Sequence, residues 1–181
     1  MANNHTWVLD PTHSELTFKV KHLMITNVKG EFRKFEAAID GEDFSKAKIT
    51  ATIDVSSIDT NNADRDGHLK SPDFFDAPQF PSISFEGTSF TKKDEENYVL
   101  KGNLTLKGVT KEVSLDVEFG GANKDPWGNE KAGFSVSGKI NRDEFNLNWN
   151  AALESGGVLV SHEVKIHAEL QFVKQAVAVT A

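Results

Sequence analysis

Apolar and polar residues alternate along most of this chain, with the period of two that marks a strand buried on one face. In "HSELTFKVKHLM" Leu16, Phe18, Val20, His22 and Met24 fall in one phase, and Glu15, Thr17, Lys19 and Lys21 in the other. "VKGEFRKFEAAID" puts Phe32 in one phase but Phe35, Ala37 and Ile39 in the opposite one, so a bulge is predicted at Arg33-Lys34. "AKITATIDVSSI" aligns Ala47, Ile49, Ala51, Ile53 and Val55, and "SISFEGTSF" aligns Ile83, Phe85 and Gly87. "YVLKGNLTLKGVTKEVSLDVEF" reads as a hairpin turning near Lys107-Gly108, with Leu100, Leu104 and Leu106 facing Val113, Leu115, Val117 and Phe119. "KAGFSVSGKI" carries Ala132, Phe134, Val136 and Ile140 inward. "VLVSHEVKIHAELQF" does the same with Val158, Val160, His162, Val164, Ile166, Ala168, Leu170 and Phe172.

These runs predict an all-β domain of about eight antiparallel strands, and one-sided alternation favours closure into a barrel with an apolar interior. A two-sheet sandwich would give similar strings. Two segments break the alternation, Thr60 to Pro81 and "NRDEFNLNWNAALESGG" at 141–157. Each follows an Asn or Thr suited to a helix N-cap, so one or two short helices are expected across the barrel ends. Residues 1–6 and 175–181 read as tails around a single domain at 7–174.

Composition narrows the function classes. The 181 residues include thirteen phenylalanines, no cysteine and a net charge of −7. The missing cysteine removes disulfides, thiol nucleophiles and zinc–thiolate sites. Lysine and arginine form no block, so neither nucleic acid nor an anionic membrane surface is an expected partner. No apolar run reaches the roughly 20 residues of an integral membrane segment. "MANNHTW" lacks the basic and apolar regions of a signal peptide, so a cytoplasmic location is expected, or a periplasmic one if a leader has been trimmed.

Three groups are candidates for chemistry. Asp64, Asp66 and His68 could share a face and hold a hard metal ion; the simpler reading is a short helix whose carboxylates satisfy its own N-terminal amides, with Arg65 paired to an acid. His22 and His162 sit in the apolar phase of the first and last long strands, as hydrogen-bonded core residues, as polar anchors for a ligand head group, or as a catalytic pair. In an eight-stranded up-and-down barrel those strands meet, and a register pairing Val20 with Val164, Phe18 with Ile166 and Leu16 with Ala168 would oppose the two imidazoles. His13, His68 and His167 read as surface or capping residues. No nucleophile elbow is present, and no metal or cofactor is expected.

Specific motifs point further. "WVLDPTHSELTFKVKHL", "GEFRKFEAAI", "RDGHLKSPDFFDAPQFPSISF" and "GNLTLKGVTKEV" together resemble the YceI-like polyisoprenoid-binding family, from Trp7 to Phe172. The resemblance implies a lipocalin-like eight-stranded antiparallel barrel that binds a long isoprenoid, quinone tail or other amphiphile along an apolar tunnel. It carries no catalytic residue across; homodimers are implied for the family, although no residue here shows one. "RDGHLKSPDFF" becomes the helical insert, with Phe74, Phe75, Phe80 and Phe85 covering the end of the interior. The expected ligand-binding residues are Phe18, Val20, His22, Ile53, Phe74, Phe75, Phe85, Leu104, Leu115, Phe134, His162 and Val164. Non-catalytic lipid carriage or sequestration is the expectation. An enzyme acting on such a lipid, or a filled barrel serving as a stress-related interaction module, are the alternatives.

Overall fold

A computed structural model describes residues 5–41, 44, 46–150 and 159–176. The strands are β1 (His5–Leu9), β2 (Glu15–His22), β3 (Thr26–Phe32), β4 (Phe35–Asp40), β5 (Lys48–Asp54), β6 (Ile58–Asp59), β7 (Ser82–Lys92), β8 (Asn97–Leu106), β9 (Val109–Lys124), β10 (Glu130–Asn141) and β11 (Val160–Ala176). One helix, α1 (Ala63–Leu69), follows β6. Eight strands close the barrel in the order β1-β4-β5-β7-β8-β9-β10-β11, with β11 returning to β1, and every pairing is antiparallel.

The remaining short strands arise because the first two long runs are broken. Pro11 lacks the amide a ladder needs, and a single 3-10 turn, Pro11–His13, separates β1 from β2. Asp10 caps it, accepting from the Thr12 amide at 3.0 Å and the Thr12 hydroxyl at 2.6 Å. The expected slip at Arg33-Lys34 divides β3 from β4. β2 and β3 therefore rise beside β11 as a hairpin, and β3 meets β6 only at Glu31 and Phe32. The edge of β3 from Thr26 to Gly30 has no strand beside it among the described residues. Met24, placed in the strand by its phase, instead lies in the turn after β2.

The Lys107-Gly108 turn forms where expected, with both residues at positive φ (50° and 77°). Strand pairing extends to His5 and Ala176, a little into both segments expected as tails. The buried residues form two clusters instead of one continuous core. One, around Trp7, Phe134 and Phe172, fills the end where β1 meets the end of β11. The other, around Phe74, Phe145 and Leu106, lies under α1 at the opposite end. No described helix is long and apolar enough to cross a membrane.

Candidate ligand-binding cavity

Between the two clusters the barrel is hollow. A cavity of about 460 Å³ runs along the interior, touching β11 at Val160 and then at alternate positions from Val164 to Phe172. That volume lies within the roughly 300–1,000 Å³ typical of small-molecule sites. Its walls are almost wholly hydrocarbon, and among the described residues no Asp or Glu lines it. Away from the lid end such walls offer water little to bond to and favour apolar guests.

Glycine keeps the interior open. Phe18 faces Gly30 across the β2–β3 ladder, and a Cβ on Gly30 would lie 2.3 Å from the ring. A Cβ on Gly102 would lie 2.4 Å from the Phe85 ring. Both rings therefore lie over a bare backbone, flat along the wall, instead of projecting across the lumen.

Of the residues expected to bind ligand, Phe18, Val20, His22, Ile53, Phe74, Phe75, Phe85, Leu104, Leu115, Phe134 and Val164 line this cavity. His162 does not. The register Val20–Val164, Phe18–Ile166 and Leu16–Ala168 is observed, but His22 pairs with Val160. β11 thus carries two extra residues in a bulge, and His162 turns outward, half exposed, to bond the Asp143 carboxylate. Arg142 and Asn150 hold the bulge. The buried Arg142 guanidinium donates to the carbonyls of Ser161 (2.9 Å) and Val160 (3.2 Å), and the Asn150 amide bonds both the Val160 carbonyl (2.7 Å) and the Val160 N–H (3.0 Å).

Arg142 also donates to the carbonyls of Leu147 and Trp149. No carboxylate among the described residues bonds the guanidinium directly, and burial pulls its pKa below the usual arginine range. The result ties the strand after the lid to the lid itself. Trp149 meets the His68 ring edge-on at 5.0 Å and lies 5.3 Å from Phe74. Phe75 meets Phe32 edge-on at 6.0 Å. Lys107, from the hairpin turn, bonds the carbonyls of Pro72 (3.2 Å) and Asn146 (3.1 Å), pinning both lid segments to the barrel rim.

The insert "RDGHLKSPDFF" is therefore a hydrogen-bonded plug. Asn62 caps α1 by accepting from the Arg65 amide at 3.0 Å. The Asp66 carboxylate accepts from the Thr60 amide (2.8 Å) and hydroxyl (2.5 Å). Arg65 reaches the Thr60 hydroxyl and carbonyl, not the acid expected for it. His68, expected at the surface or in a capping role, lines the cavity while bonding Asp73 at 2.9 Å. His13 and His167 bond Asp10 and Glu169 on the exterior.

Arg142, Trp149 and Phe44 were not anticipated. Phe44 closes the far end, edge-on to Trp7, Phe119 and Phe134 at 5.4–6.1 Å. Its signal was a lone phenylalanine in the polar turn "GEDFSK". At the lid end the polar lining consists of Lys21, His22, Thr60, Arg65, His68 and Arg142. Lys21 and Arg65 are exposed, so the cavity reaches the surface between the β2–β3 hairpin and α1.

In the comparison with known families, residues 7–172 match the YceI-like domain. The chain belongs to the YceI-like family. A UPF0312 protein of Staphylococcus aureus is 47 % identical over 169 residues, covering 92 % of this chain and 96 % of that one. The crystal structure of a Campylobacter jejuni YceI protein shares 36 % identity with a TM-score of 0.74, covering 86 % of this chain and 90 % of that chain. A domain from Saccharophagus degradans, described as polyisoprenoid binding and implicated in plant cell wall breakdown, shares the fold at 16 % identity, with a TM-score of 0.65 over 93 % of this chain and 98 % of its own.

Proposed function

We propose that this YceI-like barrel binds the apolar chain of a long isoprenoid, or of an isoprenoid-quinone-like amphiphile, and carries or sequesters it without chemical change. The observation that carries this reading is the hollow interior: about 460 Å³ of hydrocarbon-walled space with no acidic group among the described residues of its lining. The Saccharophagus degradans domain with the same fold is described as binding that ligand class.

Apolar walls suffice for tight binding. Each buried methylene contributes about 0.8 kcal/mol, so a five-carbon isoprene unit contributes at most about 4 kcal/mol. A chain of several units would pass the ceiling of about 18–21 kcal/mol if nothing opposed it, so chain ordering and imperfect contact consume much of the gain. The head group sits at the lid end, where Lys21, His22, Arg65 and His68 offer hydrogen-bond donors and positive charge. A catalytic pairing of His22 with His162 is disfavoured, since the bulge sends His162 to Asp143 on the outside.

A chain-length series tests this. Affinity for prenols of increasing length should rise by about tenfold or more per isoprene unit and then level off when the cavity is filled. Affinity independent of chain length would refute the reading.

A further inference from the structure

Among the described residues four large hydrophobic side chains are exposed, and three are consecutive: Leu23 (40 %), Met24 (47 %) and Ile25 (76 %). They form the turn joining β2 to β3, beside the opening of the cavity. Leu23 and Met24 both hold positive φ, 56° and 61°. Asn and Gly suit such a turn, whereas bulky apolar residues adopt that conformation at a cost. Strain and exposure coincide on a segment that packing does not explain.

The flank of the same hairpin is basic. Lys139 pairs with Lys165, Lys165 with Lys19, and Lys19 with Lys29, so four lysines stand abreast across β10, β11, β2 and β3. Lys21 is exposed one step closer to the tip. Lysine on the open edge of β3 would by itself be a guard against edge pairing. That does not account for Lys165 and Lys139, which lie on strands paired on both sides. Like charges directly opposite one another destabilise a sheet. The acids nearby are engaged: Glu163 by Lys139 at 3.4 Å, Glu31 by Arg33 at 3.2 Å, Asp116 by Lys93 at 4.0 Å, and Glu169 by His167 at 2.8 Å. Among the described residues Lys19, Lys21, Lys29 and Lys165 have no acidic partner. A positive row is thus assembled on a chain of net charge −7. Its members are far apart in sequence, so no basic block revealed them.

We propose that the β2–β3 hairpin docks the protein on an anionic lipid bilayer, with Leu23, Met24 and Ile25 entering the interface and the lysine row meeting the head groups. Apolar residues beside clustered lysines are the combination such surfaces bind. The docked hairpin presents the gap between β3 and α1 to the bilayer. The proposal rests on the lipid cargo argued above, because a chain that resides in a bilayer has to be collected there.

Vesicle flotation of the intact protein tests it, with phosphatidylcholine alone and with phosphatidylcholine containing phosphatidylglycerol. The protein should float with the anionic vesicles only, and added salt should release it. Leu23→Asn/Met24→Gly gives the turn residues suited to positive φ, so folding is retained while binding should fall about tenfold. Lys19→Ser/Lys29→Ser/Lys165→Ser should lose at least as much. Should the triple variant not fold, Lys165→Ser alone should lose about fivefold. Equal flotation on neutral vesicles, or variants that bind like the parent, would overturn the proposal. So would a parent dimer that Leu23→Asn/Met24→Gly turns into a monomer, since the tip would then cover a second copy. Solvent extraction of the protein before it meets vesicles separates the two readings. A lipid-loaded protein that does not float sinks the docking alone, and a protein that floats but neither carries nor takes up lipid sinks the cargo alone.

Discussion

Phe18 lies flat against the wall because the residue opposite it is Gly30. An alanine there places its Cβ 2.3 Å from the ring and drives the ring into the lumen. Gly30→Ala should cost roughly 1–3 kcal/mol of stability as overpacking and weaken binding of an alkyl-chain probe by about tenfold. Probe titration beside urea unfolding checks both. Arg142 acts through the backbone: Arg142→Met would strand the carbonyls of Leu147, Trp149 and Ser161, while Val160 keeps its bond from Asn150, and should destabilise by about 3 kcal/mol. Asp10 gives a pH signature. Hydrogen bonds from Thr12 first, and then from His13, hold its carboxyl well below the usual carboxylate range. Its contribution is therefore present above the unfolded value of about 4 and fades as pH falls toward the lower folded value. Asp10→Ala should cost about 1 kcal/mol at neutral pH, and parent and variant should converge in strong acid. Inward aromatics were legible from their phase. The small residues beneath them were not, because a glycine in an alternating pattern carries no sign of which ring covers it.

The register of β2 against β11 was legible to within a two-residue slip because each run has one buried face, and the three expected apolar pairs are observed. Strand order was not: β2 pairs with β11 as expected, but β1 closes the barrel against β11. The argument failed for His162 because a bulge shifts phase without leaving a mark in the hydrophobic pattern. The side chains that hold it, Arg142 and Asn150, come from a polar segment between strands. Both lid segments were readable as short helical pieces, and the second forms a 3-10 turn at Arg142–Phe145 capped by Asn141; the contacts of Trp149 and Lys107 that join them were not, because they link residues distant in sequence. Phe74→Ala should cost about 3 kcal/mol or more, since the ring is buried against His68 and Trp149. Release of a bound alkyl probe should also quicken, as a stopped-flow displacement would show. Unchanged release with lowered stability would make Phe74 a core residue and not part of the closure.

At the scale of the whole molecule, alternation could establish a barrel but not whether its centre is filled, because hollow and packed barrels share the same inward apolar residues. The answer lies in how side chains divide the interior: one packed cluster at each end, rings laid over glycine between them, and about 460 Å³ left open. Net charge was equally silent about the lysine row, which exists only once four strands are in register. The central claim is that this space holds the chain of a lipid. Mass spectrometry of an organic extract of the purified protein, quantified against protein concentration, tests it most directly. The account predicts a long-chain isoprenoid or similar amphiphile approaching one molecule per chain, and less of it when Gly30→Ala narrows the lumen. An extract free of such lipid, from protein that also fails to take up a prenol added afterwards, would contradict it.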